Sequence, residues 1–416
     1  MSIKVDIAGQ VHHFLTLGFS MRRFYQAIVG LAFAGLIVGL QPNAVSAYQG
    51  KNEKGPAHTS APSGDENFPL MGEFVGTITN DETLALQIRV IGTDRFDAMA
   101  YRGGLPGESG HQSDAIRFIG MRSENMVILS GGPWAIFVEN DTCSVVDRTG
   151  NKIGSLNRVK RTSPTMYAAA PSGATVLFDG TGTDQFTKAE MTPDGLLMQG
   201  ADVKPMFQDF DLHIEFKLPY MPVADEQNRA NSGLYLQSSY ECQVLDSFAQ
   251  EPKFNGCGAL YRFKKPDVNM CLPPLTWQTY DVRFTAPRWA ADGTKVRNAF
   301  ITSWVNGVKV QDNVELKNKT GAGKAETPTL FPIRFQDHGD PVRFRNAWVV
   351  DRGLTSVQFP VIPTKKERKT AIRAEQKKQR LANRKKKSRK NPKKNSQKGN
   401  SKKVPTEEVK THAKPV

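Results

Sequence analysis

The sequence predicts an all-β protein, with a small meander module, a larger antiparallel sandwich and a disordered basic tail. Three observations carry this. Short runs rich in Val, Ile, Leu, Phe and Tyr alternate with polar residues at a period of two, clusters of Gly, Asn and Asp separate them, and no convincing amphipathic helix interrupts the strands of the larger module. The composition, 39% hydrophobic and 23% charged, excludes a fully disordered or fibrous chain.

Residues 1–47 form an export-signal region. Met21-Arg22-Arg23-Phe24 is a basic start, Ala27–Leu40 an apolar run, and Val45-Ser46-Ala47 a small-residue cleavage pattern. Met21 is the expected true start. The apolar run is shorter than the roughly 20 residues of a membrane span. The mature protein is therefore expected to be exported, to the periplasm or the extracellular space, without an integral span. An uncleaved N-terminal anchor is the competing reading.

Residues 48–67 are polar with Pro, Gly and Ser and read as a linker. The small module spans 68–160, with strands at Glu73–Ile78, Leu84–Val90, Phe96–Tyr101, Ile116–Ile119, Met126–Leu129, Trp134–Val138 and Cys143–Val146. Nothing in it demands chemistry, so a spacer or binding module is expected. Residues 161–174 read as a second linker.

The sandwich spans 175–353. Phe210, Leu212, Ile214, Phe216 and Leu218 alternate with Asp211, His213, Glu215 and Lys217, which predicts one buried and one exposed face. Leu234 and Leu236 alternate with Tyr235 and Gln237, and Tyr280, Val282 and Phe284 with Asp281, Arg283 and Thr285. Trp304–Val310 contains Asn306-Gly307, the pair a type I′ hairpin turn favours. Val342, Phe344, Asn346 and Trp348 alternate with Arg343, Arg345 and Ala347.

The tail spans 362–416. From Lys365 onward lie 21 of the 56 Lys+Arg and 4 of the 41 Asp+Glu, so the tail carries +17 and the rest of the chain −2, which together give the net +15. With almost no large apolar residue after Leu381 it cannot bury a core, although a transient helix fits Lys366–Lys387. It suits adhesion to an anionic polymer or cell surface, or simple solubilisation. No aromatic is interleaved, so base stacking is unsupported.

Four cysteines, Cys143, Cys242, Cys257 and Cys271, contain no CxxC pair. A Cys257–Cys271 disulfide is the expected pairing in an exported chain, against four reduced, packed thiols. No GxSxG elbow, HExxH, Walker loop or dinucleotide fingerprint is present. Thr320-Gly321-Ala322-Gly323-Lys324 lacks phosphate-loop spacing and reads as a surface loop.

Polar density on strands marks the candidate site. Glu241 and Gln243 share a face, with Asp246 at the strand end, and Arg334, Gln336 and His338 share another. Arg343 and Arg345 share a face of the next strand. Carboxylates and amides match sugar hydroxyls and Arg supplies forked donors. Tyr235, Tyr261 and Trp277 offer stacking platforms. A solvated face with cross-strand ion pairs is the plain alternative.

Several segments at these positions resemble the 3-keto-disaccharide hydrolase family, also described as 3-keto-glucoside 1,2-lyase/3-keto-2-hydroxyglucal hydratase. They are Leu177-Phe178-Asp179-Gly180, Asp209-Phe210 to Glu215-Phe216, Asn231-Ser232-Gly233, Tyr240–Ser247, Trp277–Asp281, Asn306-Gly307, Gln336–Gly339 and Arg343–Asn346. The likeness covers about residues 175–352, with Cys242 where an aliphatic residue is more usual. It implies a concanavalin A-like jelly roll with its site on the concave sheet, and an enzyme that cleaves 3-keto-glycosides by C2 deprotonation, elimination and hydration. The substrate would be an oligosaccharide or glycoside. Glu241, Asp246 and His338 would be catalytic, and Asn231, Tyr235, Gln243, Tyr261, Trp277, Gln336, Arg343 and Arg345 would bind substrate. A divalent cation held by Glu241, Asp246 or His338 is an alternative source of positive charge. The rival class is a lectin-like module without catalysis, distinguished by whether Glu241, Asp246 and His338 converge.

Overall fold

A computed structural model describes residues 54–354 and 365–390. Residues 1–53, which include the export-signal region, and residues 355–364 and 391–416 lie outside the described residues.

Eight strands form the first module: β1 (Gly72–Ile78), β2 (Glu82–Val90), β3 (Arg95–Arg102), β4 (Ile116–Ser123), β5 (Met126–Ser130), β6 (Ala135–Glu139), β7 (Thr142–Val146) and β8 (Lys152–Val159). They follow one another around a closed barrel, in which β8 pairs with both β7 and β1. The expected meander is therefore closed, which removes its exposed edges. The closing strand β8 left a weak trace in the sequence: Leu156 is its one fully buried residue, among polar neighbours.

The second module contains β9 (Thr175–Phe178), β10 (Phe186–Lys188), β11 (Leu197–Met198), β12 (Ala201–Val203), β13 (Asp209–Lys217), β14 (Ser232–Leu236), β15 (Tyr240–Val244), β16 (Trp277–Thr285), β17 (Arg288–Trp289), β18 (Lys295–Arg297), β19 (Ala299–Val305), β20 (Val308–Leu316), β21 (Arg334–Phe335) and β22 (Arg343–Gly353). A five-stranded sheet in the order β10-β12-β21-β14-β15 packs against a seven-stranded sheet ordered β11-β22-β13-β16-β19-β20, with β9 also on β22. All pairings are antiparallel, giving the expected jelly-roll sandwich. Aromatic contacts bridge the sheets, Phe335 with Phe344 at 5.0 Å and Tyr240 with Phe284 at 5.5 Å between ring centroids.

Two expectations are corrected here. First, the face of β13 bearing His213 and Glu215 is sealed, each side chain being 0% exposed. Residues 163–168 lie across it as a strap, where a free linker was expected. Thr165 Oγ1 donates to Asp281 at 2.8 Å, Tyr167 N–H to Glu215 at 2.5 Å, and Asn346 and Trp348 both donate to the Ala168 carbonyl. Second, the β22 alternation changes phase. Asn346 takes a positive φ of 43° and the β13–β22 register shifts there, so Ala347 and Val349 face the core. Trp348 turns outward and stacks on His213 at 5.1 Å. A bulge flips every side chain after it to the other face.

The segment before the barrel is also docked: His58 pairs with Tyr220 through both backbone groups, and Lys54 bonds Asp340 at 2.8 Å. Residues 365–390 form helix α1 (Lys365–Lys390), whose described side chains are all exposed, over the stretch for which a transient helix was expected. Among the described residues no helix is long and apolar enough to cross a membrane.

Candidate active site

The outer face of the five-stranded sheet gathers one polar cluster. In the β14–β15 ladder Tyr235 stands opposite Glu241 and Gly233 opposite Gln243, while Leu234 and Cys242 face the core. The strand period of two thus puts Tyr235, Glu241 and Gln243 on one side. Gln336 follows β21 and is tied to β14 through its N–H on the Gly233 carbonyl at 2.8 Å. Gly233 has a specific reason to lack a side chain. A Cβ there would stand 2.6 Å from Glu241 Oε1 and 3.0 Å from Gln336 Oε1, so these two side chains close over the bare strand.

Above them lies a cavity of about 380 Å³, with Tyr235, Gln336, Lys188, Lys324, Arg334 and Asp337 in its wall. Gln336 Nε2 donates to the Tyr235 hydroxyl at 3.4 Å. Glu241 sits beneath this floor, 2% exposed. Its backbone is clamped by Thr320 Oγ1, which accepts the Glu241 N–H at 2.7 Å, and by the Tyr261 N–H on its carbonyl at 3.1 Å. Burial pushes the Glu241 carboxyl up to about 7, a shift that the Tyr235 hydroxyl partly offsets as hydrogen-bond donor. Burial, reinforced by the Glu241 charge, also raises the Tyr235 phenol. Glu241 Oε2, Gln243 Oε1 and Gln336 Oε1 are buried acceptors without a donor. Unsatisfied buried acceptors are costly and mark a place for incoming donors such as sugar hydroxyls.

The expected site residues divide into two groups. Tyr235, Glu241, Gln243 and Gln336 come together, and Tyr261 is held beside them by its backbone bond to Glu241. Asn231 continues the cluster through amides: its Nδ2 donates to the Gln227 carbonyl, and Gln243 Nε2 to Gln227 Oε1.

The second group lies elsewhere. Asp246 accepts Arg229 Nε at 2.7 Å with both side chains sealed from solvent, so its carboxylate serves an ion pair and not the cavity. His338 is exposed just past Asp337 and lies outside the cavity wall. Arg343, Arg345 and Trp277 belong to the seven-stranded sheet. Arg345 pairs with Glu215 at 2.7 Å and stacks over Trp277 at 4.0 Å, while Arg343 donates to Gln199. Strand alternation showed which residues share a face but not which sheet each strand joins, and β21 and β22 separate into different sheets.

The cation ligands expected at Glu241, Asp246 and His338 are not assembled. Among the described residues no three His, Cys, Asp or Glu side chains form a ligand group. These residues do not fit a divalent cation, and the chemistry below rests on the chain's own groups. Cys257 and Cys271 are free, buried and close enough to hydrogen-bond, so the expected pair are neighbours without a disulfide between them.

Sequence reading missed the basic wall. Lys188 and Lys324 come from loops or edges with no periodic signal, and the Thr320–Lys324 loop is drawn in by Lys324 N–H on the Ser238 carbonyl and Gly323 packed on Ser239. Arg334 was legible as a face-mate of Gln336; Asp202 grips it through two bonds at 2.7 and 3.1 Å.

Residues 173–350 match the family described as 3-keto-alpha-glucoside-1,2-lyase-like domain. Three solved structures of proposed glycosyl hydrolases from Parabacteroides distasonis are similar to this chain. The first shares 31% identity over 44% of this chain and 85% of its own, with a TM-score of 0.41. The second shares 20% over 43% and 94% (TM-score 0.32), and the third 21% over 43% and 98% (TM-score 0.30). Comparison with curated proteins returns no match. The family match covers the sandwich alone; the barrel and α1 lie outside it.

Proposed function

We propose, given that the chain belongs through residues 173–350 to the 3-keto-alpha-glucoside-1,2-lyase-like domain family, that it cleaves the glycosidic bond of 3-keto-glycosides in the cavity over Tyr235 and Gln336. A ketone at sugar C3 acidifies the hydrogen at C2. Removing that proton gives an enolate, which expels the group at C1. Water then adds across the resulting double bond, and the net change is hydrolysis.

One observation carries the reading: a buried carboxyl raised to about 7, with an unpartnered oxygen, directly behind a sugar-sized cavity. Glu241 is the proton acceptor. Because it lies under the floor, the Tyr235 oxygen takes the C2 proton while the phenolic proton passes to Glu241. Lys324 and Arg334 in the wall supply positive charge for the enolate oxygen. Gln336, in the cavity wall with an unpartnered amide oxygen, accepts a sugar hydroxyl.

Incubating the purified protein with a 3-keto-glucoside tests this. Wild type should release the aglycone and exchange C2–H for deuterium in heavy water. Glu241→Gln and Tyr235→Phe should lose both, whereas His338→Ala should keep most turnover. Unchanged turnover in both floor variants overturns the assignment.

Binding without turnover is the second reading, favoured by the engagement of Asp246 with Arg229 and by the position of His338 outside the cavity. Saturable sugar binding with no deuterium exchange would select it. The anatomy of residues 1–47 supports action outside the cytoplasm, and N-terminal sequencing of the mature chain for a start at Tyr48 tests that.

A further inference from the structure

Helix α1 carries a charge pattern that the proposed chemistry does not use. Its described side chains, residues 365–383, are all exposed. A helix turns by about 100° per residue. On that period Lys365, Lys366, Lys369, Arg373, Lys377 and Arg380 fall within an arc of about 120°, one third of the circumference. They are six of the eight Lys and Arg in residues 365–383, so the charge is gathered on one side. The two acids of this stretch, Glu367 and Glu375, stand on the far side, each about 140° from the midline of the arc. In a disordered chain the same residues would point in all directions. The helix makes them a single basic stripe, about 22 Å long from Lys365 to Arg380.

The stripe costs the helix stability. Lys365, Lys369, Arg373 and Lys377 follow one another at steps of four, and like charges at that spacing repel. A negative chain laid along them relieves the repulsion. The pattern also selects among polyanions. A helix seated in a lipid surface needs an apolar face opposite its basic one. Ile372 and Leu381, 58% and 51% exposed, stand instead on opposite flanks of the stripe. A helix in a duplex groove meets phosphates on both flanks, which would bring them towards Glu367 and Glu375. No aromatic residue occurs from 362 onward to stack on single-stranded bases. A single anionic chain lying along one side meets cations alone.

We propose that the basic stripe of α1 binds an acidic polysaccharide, with carboxylates on successive sugar rings paired to the Lys and Arg of successive helical turns. The helix thereby tethers the chain to a carbohydrate matrix. The inference is independent of the reaction assigned above, because α1 lies outside the family-matched residues 173–350.

Titration of the full chain with polygalacturonate at low salt tests this, using two variants that lose equal charge from different faces. Lys369→Gln with Arg373→Gln removes two positive charges from the stripe. Lys378→Glu, on the rear of the helix, changes the net charge by the same amount. Gln and Glu are good helix formers, so α1 is kept in both. Wild type should bind polygalacturonate, bind more weakly as salt rises, and ignore neutral amylose. The stripe variant should bind roughly thirtyfold more weakly, the effect of two cations lost from contact with an anionic surface. Lys378→Glu should bind almost as wild type. Equal weakening in the two variants overturns the stripe and leaves a diffuse polycation. Absence of polygalacturonate binding overturns the proposal outright. Tighter binding to mixed-sequence duplex DNA or to phosphatidylglycerol vesicles, at equal charge concentration, overturns the acidic polysaccharide as partner.

Discussion

Arg229 and Asp246 form a fully buried ion pair, Nε to Oδ2 at 2.7 Å, where strand β15 leaves the sheet that carries the candidate site. Asp246 also accepts the Phe248 N–H at 3.2 Å. Removing one member of such a pair strands the other charge. Asp246→Ala should therefore destabilise the protein by about 3–5 kcal/mol, read as a lower denaturation midpoint. A loss of turnover with unchanged stability would return Asp246 to the catalytic set.

Glu241 sets the expected pH dependence of activity. The relay needs an ionised carboxylate, so turnover should rise with pH through about 7 and then level. Stability should move the opposite way. A carboxyl whose value is raised by folding contributes fully below its ordinary value of 4.5, and that contribution is lost as pH rises through about 7. Glu241→Gln should abolish the first trend and flatten the second. A wild-type rate profile without an inflection between pH 6 and 8 would exclude Glu241 as the acceptor.

The strap over β13 predicts a stability window. Burial disfavours charged Glu215, but bonds from His213, Asn346, Arg345 and the Tyr167 N–H outweigh it and hold the carboxyl at about 2. That contribution is present above 4.5 and lost as pH falls through about 2. His213 is disfavoured as a cation by burial, yet Asp281 and Glu215 raise it above 6.5. Its contribution is present below 6.5 and lost as pH rises through the raised value. The network is thus most stabilising between about pH 4.5 and 6.5. His213→Gln should reduce the alkaline fall to the part that Glu241 contributes. It should also weaken the acid limb, because the bond from His213 is the largest of those holding Glu215 low, both measured as Tm against pH. An unchanged alkaline limb would show that His213 does not drive it.

Gly307 joins a turn to the strap. Asn306 and Gly307 have φ of 51° and 78°, the type I′ geometry its Asn-Gly pair suggested. A side chain on Gly307 would also run into Pro164, at the start of the strap. Gly307→Ala should cost about 1–3 kcal/mol through the positive φ alone. It should also loosen residues 163–168, detected as faster amide exchange at Tyr167. Unaltered exchange there would separate the turn from the strap.

The fold was legible wherever one face of a strand is buried and the other wet. β2, β3 and β13 announced themselves because apolar residues recur at every second position. β8 did not, since a closing strand with one fully buried residue leaves little pattern. The sealed state of His213 and Glu215 was hidden for a related reason: their polarity says solvent, and a strap distant in sequence says otherwise. Glu241 and Gln243 could be grouped from spacing because they stand two residues apart on one strand, whereas the place of Tyr235 opposite Glu241 came from the pairing of β14 with β15. Arg343 and Arg345 could not be assigned correctly, because sheet membership depends on pairings between segments far apart in the chain.

Local chemistry in the chain therefore determined strand positions, turn types, the charge division between body and tail, and the sugar-related motifs. Side-chain period, glycine conformation and composition are properties of neighbouring residues, so a linear reading contains them. Only the tertiary structure closed the barrel, folded the strap over β13, sent Arg345 to Glu215 and Asp246 to Arg229, and set Glu241 beneath Tyr235 and Gln336. Each of these depends on which distant groups share a desolvated space, and desolvation decides whether a carboxylate becomes an ion-pair partner or a proton acceptor.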